Sequence, residues 1–253
     1  MRVILTADRP AMGTWVAEQA ATALRNAIRT QGQARLVIAT GASQFEVLQS
    51  LVAREDIDWS VVTGFHLDEY IGISQEHPAS FCRYLRERFV SKVPLRQFHY
   101  LDGEGDAAAT IADVGAKLTE APIDVALVGI GENGHLAFND PPADFETESP
   151  YLIVDLDEKC RAQQVGEGWF AGLDDVPKQA ISMSIRQIMS CRAIYCSVPD
   201  ARKAAAVRDT LEGPVSPEVP ASILRQHPNA TLIIDEAASS ELSAETRNTL
   251  ELA

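Results

Sequence analysis

The chain has 253 residues, of which 46% are hydrophobic and 23% charged, the balance of a folded globular domain, so extended disorder and collagen-like repeats are excluded. Its 22 Lys and Arg face 36 Asp and Glu, and a formal net charge of −14 repels a nucleic-acid backbone or an anionic membrane surface. A small anionic ligand is still admissible, because a few backbone N–H groups and one or two cations can locally overrule the global field.

The N-terminal MRVILTADRP reaches a charge and a proline after a few apolar residues, too soon for a signal peptide. Leu36-Val37-Ile38-Ala39 predicts a buried strand, then the turn Thr40-Gly41-Ala42-Ser43 and a helix through Phe45, Leu48, Leu51 and Val52. Val61 to Phe65 predicts a second strand ending in the polar Asp68-Glu69-Tyr70. Pro78 fits the first turn of a helix that carries Phe81, Tyr84, Leu85 and Phe89 on one side. Ile123 to Ile130 is almost wholly apolar, as a central parallel strand should be, and runs into the glycine-rich Gly129 to Gly134.

Later strands are expected near Ile153, Ile181, Ala193–Ser197 and Thr231–Ile234, with helices over Ala201–Leu211 and Ala221–Gln226. Asp144–Pro150 and Gly166–Pro177 lack a sustained apolar period and are expected to be mobile loops. Strands alternating with helices of these lengths predict one α/β domain over 1–253, a Rossmann-like, mostly parallel sheet with helices on both faces. Cys82, Cys160, Cys191 and Cys196 have no C-x-x-C spacing and are expected to be reduced, mostly buried thiols of a cytoplasmic protein. No run approaches the ~20 apolar residues of a membrane span.

Ligands of open parallel sheets bind outside the carboxyl ends of the strands, and three predicted strand ends carry suggestive sequence. Thr40-Gly41-Ala42-Ser43 offers a close backbone approach, a helix N-terminus and two hydroxyls to an anion, though it also reads as a tight turn with a helix cap. Asp68 and Glu69 must point to opposite faces, so one can face a cleft, as a general base, while the other braces the structure. Gly129 to Pro141 is the densest segment: three glycines surround Asn133 and His135, and Asp140 follows as a carboxylate able to orient the imidazole. Lys203 opens a helix after a strand, as a cation aimed at a phosphate or as a solvated helix residue. The five histidines lack metal-ligand spacing, no G-x-S-x-G elbow is present, and no dinucleotide fingerprint appears. Metal-free, cofactor-free acid–base chemistry on a small phosphorylated molecule is the remaining expectation.

Two longer segments carry a resemblance. Phe65 to Gly72 with His77-Pro78-Ala79-Ser80-Phe81, and Gly129-Ile130-Gly131-Glu132-Asn133-Gly134-His135-Leu136-Ala137-Phe138-Asn139-Asp140-Pro141, resemble in order the two motifs of the glucosamine-6-phosphate deaminase family, which shares a superfamily with the 6-phosphogluconolactonases. The resemblance implies conversion of glucosamine 6-phosphate to fructose 6-phosphate and ammonia without a cofactor. It assigns ring opening to His135 with Asp140 and Asn133, C2-proton removal to Asp68, and substrate binding to Thr40, Gly41, Ala42, Ser43 and Lys203. Four positions are set against the family pattern: Asp140 replaces the usual Glu, Asn133 cannot ionise although many members also carry Asn there, no arginine closely precedes Trp169-Phe170, and Gln44 stands where a proline is usual. Either Arg161 substitutes for that phosphate-binding arginine, or a closely related amino sugar phosphate is the substrate. A lactonase-like hydrolase using His135 to activate water, and a sugar-phosphate-binding regulatory module without turnover, are the alternatives. A phosphosugar is the expected partner, nucleic acid and membrane are not, and a homo-oligomer is left open.

Overall fold

The computed structural model describes residues 1–253. Eleven strands and eight α-helices follow one another as β1 (Arg2–Thr6), α1 (Arg9–Gln31), β2 (Ala34–Ile38), α2 (Phe45–Val52), β3 (Val62–His66), β4 (Asp68–Tyr70), α3 (Phe81–Leu85), β5 (Gln97–His99), α4 (Ala107–Thr119) and β6 (Val125–Val128). The second half continues with β7 (Tyr151–Asp155), α5 (Glu158–Gly166), β8 (Gln179–Met183), α6 (Ile185–Met189), β9 (Ile194–Val198), α7 (Ala204–Glu212), β10 (Ala230–Asp235), α8 (Ala244–Arg247) and β11 (Glu251–Leu252). Eight strands form one sheet in the order β11-β1-β10-β9-β6-β2-β3-β5, and every pairing in it is parallel. Their carboxyl ends therefore lie along one edge, and the loops after β9, β6, β2 and β3 leave it side by side.

Alternating side chains of these strands feed two cores. Val37, Phe65, Ala126, Val128, Leu232 and Ile234 join one cluster with Val114, Leu118, Ile185, Ile188 and Val207 of the helices. Leu36, Ile38, Val125, Leu127 and Ile233 join the other with Met12, Val16, Leu24, Leu48, Leu51 and Leu85. Burial on both faces explains why β6 reads as an uninterrupted apolar run; each fully buried aliphatic side chain contributes about 1.5–3 kcal/mol.

The predicted strands at Ile153 and Ile181 exist but do not join the parallel sheet. β7 and β8 pair antiparallel with each other, and β8 with β4, in a separate three-stranded sheet. Only Tyr151 of β7 is buried; Ile153 and Asp155 are exposed, and Leu152 and Val154 are half-buried. Beneath this sheet Tyr70, Phe81, Phe138 and Phe170 form a small aromatic core.

The helix expected from Pro78 begins instead at Phe81, capped by Ser80, and ends in a π-helical turn, Arg86–Val90, that buries Phe89. The predicted helix over Ala221–Gln226 is a 3-10 run, Pro220–Gln226, and Ala201–Lys203 is a 3-10 turn ahead of α7. Asp144–Pro150 contains no helix or strand, and Gly166–Pro177 holds only the end of α5 and the 3-10 turn Leu173–Asp175. All four cysteines are free and buried. No helix is long and apolar enough to cross a membrane.

Candidate active site

After β2 the chain turns at Gly41, whose φ of +94° lies in the left-handed region open to glycine, and then forms the 3-10 turn Ala42–Gln44. Two carbonyls of this loop are already engaged. The Tyr84 hydroxyl donates to Gly41 O at 2.9 Å, and the Arg9 guanidinium donates to Ala42 O. The loop's remaining polar capacity is its N–H groups and the hydroxyls of Thr40 and Ser43. Gln44, in the position of the expected proline, is fully buried and donates to Val128 O at 3.1 Å, tying the loop to the end of β6. A Cβ on Gly129 would stand 2.8 Å from Ser43 Oγ, so glycine there lets the two loops approach.

Asp68 opens β4, only 6% exposed, with Oδ1 buried and without a hydrogen-bond partner. Burial, with the neighbouring charge of Glu69 second, pushes its carboxyl up to about 8. Glu69 turns the other way, as the alternation requires. Its carboxylate accepts from the N–H groups of Tyr70, Phe81 and Cys82 and from Ser80 Oγ, capping α3. Burial raises its pKa in spite of those bonds.

The loop after β6 wraps around an imidazole. A side chain on Gly131 would overlap the His135 ring, so glycine makes the space that the ring fills. His135 Nδ1 donates to Asp140 Oδ1 at 2.9 Å, and Asn133 Nδ2 donates to the same oxygen at 2.9 Å. The shorter carboxylate of Asp140 thus spans the gap that a Glu would cover. Burial works to raise the pKa of Asp140, but hydrogen bonds from His135, Asn133 and the Asp157 N–H outweigh it and hold it below the usual range.

Lys203 ends the 3-10 turn after β9 and is 8% exposed, yet it makes no ion pair. Burial depresses its pKa, with Glu167 and Glu132 pulling in the other direction. Asp200, which caps this turn, takes φ = +88°, and Ala137 takes φ = +52°. Both non-glycine residues with positive φ line the cleft, strained backbone concentrated at one place. The Asp235 carboxylate holds the Asp200 N–H and so fixes that turn.

These loops surround one cleft, open to solvent and lined by Thr40, Gly41, Ala42, Ser43, Asp68, His135 and Lys203. Asn133 and Asp140 stand behind His135 and do not line it. Arg161, the expected substitute for the missing arginine, is not part of the cleft wall: its guanidinium donates to Leu173 O. The cations that do line the cleft beside Lys203 are Arg9 and Arg202, paired with Glu46 and Asp200 respectively. Arg9 follows a strand end, as the other site residues do, but its place at the cleft depends on how β1 and α1 pack. Gln163, Gln164 and Glu167 of the α5 region complete the wall, and sequence reasoning missed them because α5 lacks an apolar period.

Two groups of metal-binding residue types lie close together, His66, Glu69 and Cys82, and His135, Asp140 and Cys160. In the first, the Glu69 oxygens are taken by four donors and the Cys82 thiol donates to Leu101 O. In the second, Asp140 is taken by His135, Asn133 and Asp157.

A sequence model of the glucosamine-6-phosphate isomerases/6-phosphogluconolactonase family matches residues 7–233. A glucosamine-6-phosphate deaminase of Lactobacillus delbrueckii subsp. bulgaricus is 34% identical over 244 residues, 96% of this chain and 100% of the relative. One of Streptococcus equi subsp. zooepidemicus is 38% identical over 213 residues, 84% of this chain and 89% of the relative. Among solved structures, a monomeric glucosamine-6-phosphate deaminase superposes with a TM-score of 0.87 at 30% identity, covering 95% of this chain and 99% of its own. A 6-phosphogluconolactonase from Shewanella baltica shares the fold, with a TM-score of 0.76 at 22% identity over 93% of this chain and 97% of its own. Sequence and fold therefore agree over nearly the whole length, and the chain belongs to the glucosamine-6-phosphate isomerase/6-phosphogluconolactonase family.

Proposed function

We propose that the protein is an enzyme that converts glucosamine 6-phosphate to fructose 6-phosphate and ammonia, within cytoplasmic amino sugar catabolism. One observation carries the reading: Asp68, His135 and the unpaired Lys203 open into one cleft beside the Thr40–Ser43 loop. The phosphate is received by the loop N–H groups, the Thr40 and Ser43 hydroxyls and the Lys203 ammonium, which gains the counter-charge it lacks. His135, held by Asp140, moves a proton at the ring oxygen and opens the pyranose to the aldehyde. Asp68 then takes the C2 proton, acidified by the C1 carbonyl, and returns it at C1. Water replaces nitrogen at C2, and ammonia leaves. A C–H next to a carbonyl is a weak acid, and the burial that pushes Asp68 up to about 8 makes its ionised form, whose share grows as pH approaches that value, a stronger base than an exposed carboxylate.

The test is coupled detection of ammonia and fructose 6-phosphate from glucosamine 6-phosphate, together with solvent-deuterium incorporation at C2. Asp68→Asn is expected to abolish exchange while leaving substrate binding in place. Exchange retained in that variant removes Asp68 from the role of base, and a wild-type chain that binds the sugar without releasing ammonia removes the deaminase reading itself.

A further inference from the structure

Asp157 lies outside the cleft wall, yet it closes a ring of hydrogen bonds around the Asp140 carboxylate. Its backbone N–H donates to Asp140 Oδ2 at 3.1 Å. Its Oδ2 accepts from Asn133 Nδ2 at 3.2 Å, while the same Asn133 nitrogen donates to Asp140 Oδ1 at 2.9 Å. The Asn133 side-chain oxygen, Oδ1, in turn accepts the backbone N–H of His135 at 3.2 Å. Both Asn133 amide hydrogens are thus spent on carboxylates, which fixes the amide against a flip: the reversed amide would set its oxygen against two anions. The plane of Asp140, and with it the direction of the His135 ring, follows from this ring of hydrogen bonds.

The other Asp157 oxygen, Oδ1, accepts from Cys160 N and caps α5. Gln163 and Gln164 of α5, and Glu167 just beyond it, line the cleft. One carboxylate therefore joins a wall of the cleft to the support of the imidazole.

We infer that Asp157 is a positioning residue for His135, acting through Asn133 and Asp140; the inference rests on the role proposed above for His135. Two substitutions separate this role from helix capping. Asp157→Ser keeps a good N-cap but is too short for Asn133, and Asp157→Asn keeps a capping oxygen while setting an amide donor against the Asn133 donor.

With glucosamine 6-phosphate as substrate, both variants are expected to lose about tenfold in kcat with KM within about twofold of wild type, because the sugar still binds but proton transfer is misaligned. The second readout needs no turnover. The downfield Nδ1–H resonance of His135, assigned by its loss in His135→Gln, is expected to broaden in both variants as the hydrogen bond to Asp140 loosens. Wild-type kcat and a sharp, unshifted resonance in Asp157→Ser overturn the inference and leave Asp157 a helix cap. A wild-type chain that fails to deaminate the sugar strikes the functional reading alone, and the resonance still decides the role of Asp157.

Discussion

Asp68 stores a stability cost that pH should reveal. Its carboxyl is buried, its Oδ1 has no donor, and it holds its proton up to about pH 8 in the native state. In the unfolded chain it releases that proton near the ordinary value of 3.8. Between these two values the native state binds one proton more than the unfolded state, so the wild type loses stability as pH rises, by about 1.36 kcal/mol per pH unit. Asp68→Asn has no proton to lose and escapes this slope.

The difference in stability between variant and wild type should therefore grow by about 2.7 kcal/mol from pH 5 to pH 7. At about 2.1 cal/mol/K of unfolding entropy per residue, a chain of this length gains roughly 2 °C per kcal/mol, so the gap in Tm widens by about 5 °C. The slope is set by one proton, and any effect of the amide that does not vary with pH cancels. Thermal unfolding of both proteins in matched buffers at pH 5, 6 and 7 measures it. A gap that stays constant across this range means that Asp68 is already ionised in the native protein, and the argument for its raised basicity fails.

Other perturbations follow from the same geometry. Lys203→Met should raise KM for a phosphosugar about 30–150-fold, from the loss of a charge-assisted bond of about 2–3 kcal/mol. It should also raise the ligand-free Tm, since a buried ammonium without a partner is removed; a weakened apo protein contradicts the second half. Gly131→Ala drives a methyl group into the His135 ring and should lower kcat by about a hundredfold, read in steady-state kinetics, because the imidazole must shift. Glu69→Ala strips the N–H groups of Phe81 and Cys82 and the Ser80 hydroxyl of their shared acceptor and should cost about 3–5 kcal/mol in denaturant unfolding; a loss below about 1 kcal/mol shows that the cap is dispensable.

Much of the sheet was legible because doubly buried strands leave apolar runs that no other element here imitates: Leu36–Ala39 and Ile123–Ile130 mark β2 and β6. α1, the longest helix, was not legible by periodicity. Half of its eight buried residues are alanines, Ala17, Ala20, Ala21 and Ala27, which contrast too little with its outer face, although its limits are written in the Asp8 cap, Pro10 and the left-handed Gly32. The partition of strands between two sheets was equally hidden, since β8 pairs with both β7 and the three residues of β4 and no local pattern names a strand's partner. At the site, residues on strand-end loops could be picked out because glycines and polar residues crowd there. Arg9, Gln163 and Glu167 reach the cleft only through packing of helices, a long-range fact that spacing does not encode.

The two buried ionisable groups that face the cleft without partners have shifts that oppose each other in charge but share a cause. Burial holds Asp68 toward its neutral acid and Lys203 toward its neutral amine, because neither has a direct ionic partner, and Glu167 and Glu132 offset the effect on Lys203 only in part. A phosphosugar changes only one of them. Its phosphate supplies Lys203 with an anion and restores the ammonium, whereas its carbon skeleton gives Asp68 nothing but a proton to take. The same cleft is therefore complementary to an anion at one end and keeps a base strong at the other. Glu167, held by Gln163 and Trp169 on the cleft wall, sets a limit on the first effect, since its charge already serves Lys203 in part. The phosphate must compete with it, so affinity at that end is tuned by a residue of the α5 region rather than by the loop that receives the anion.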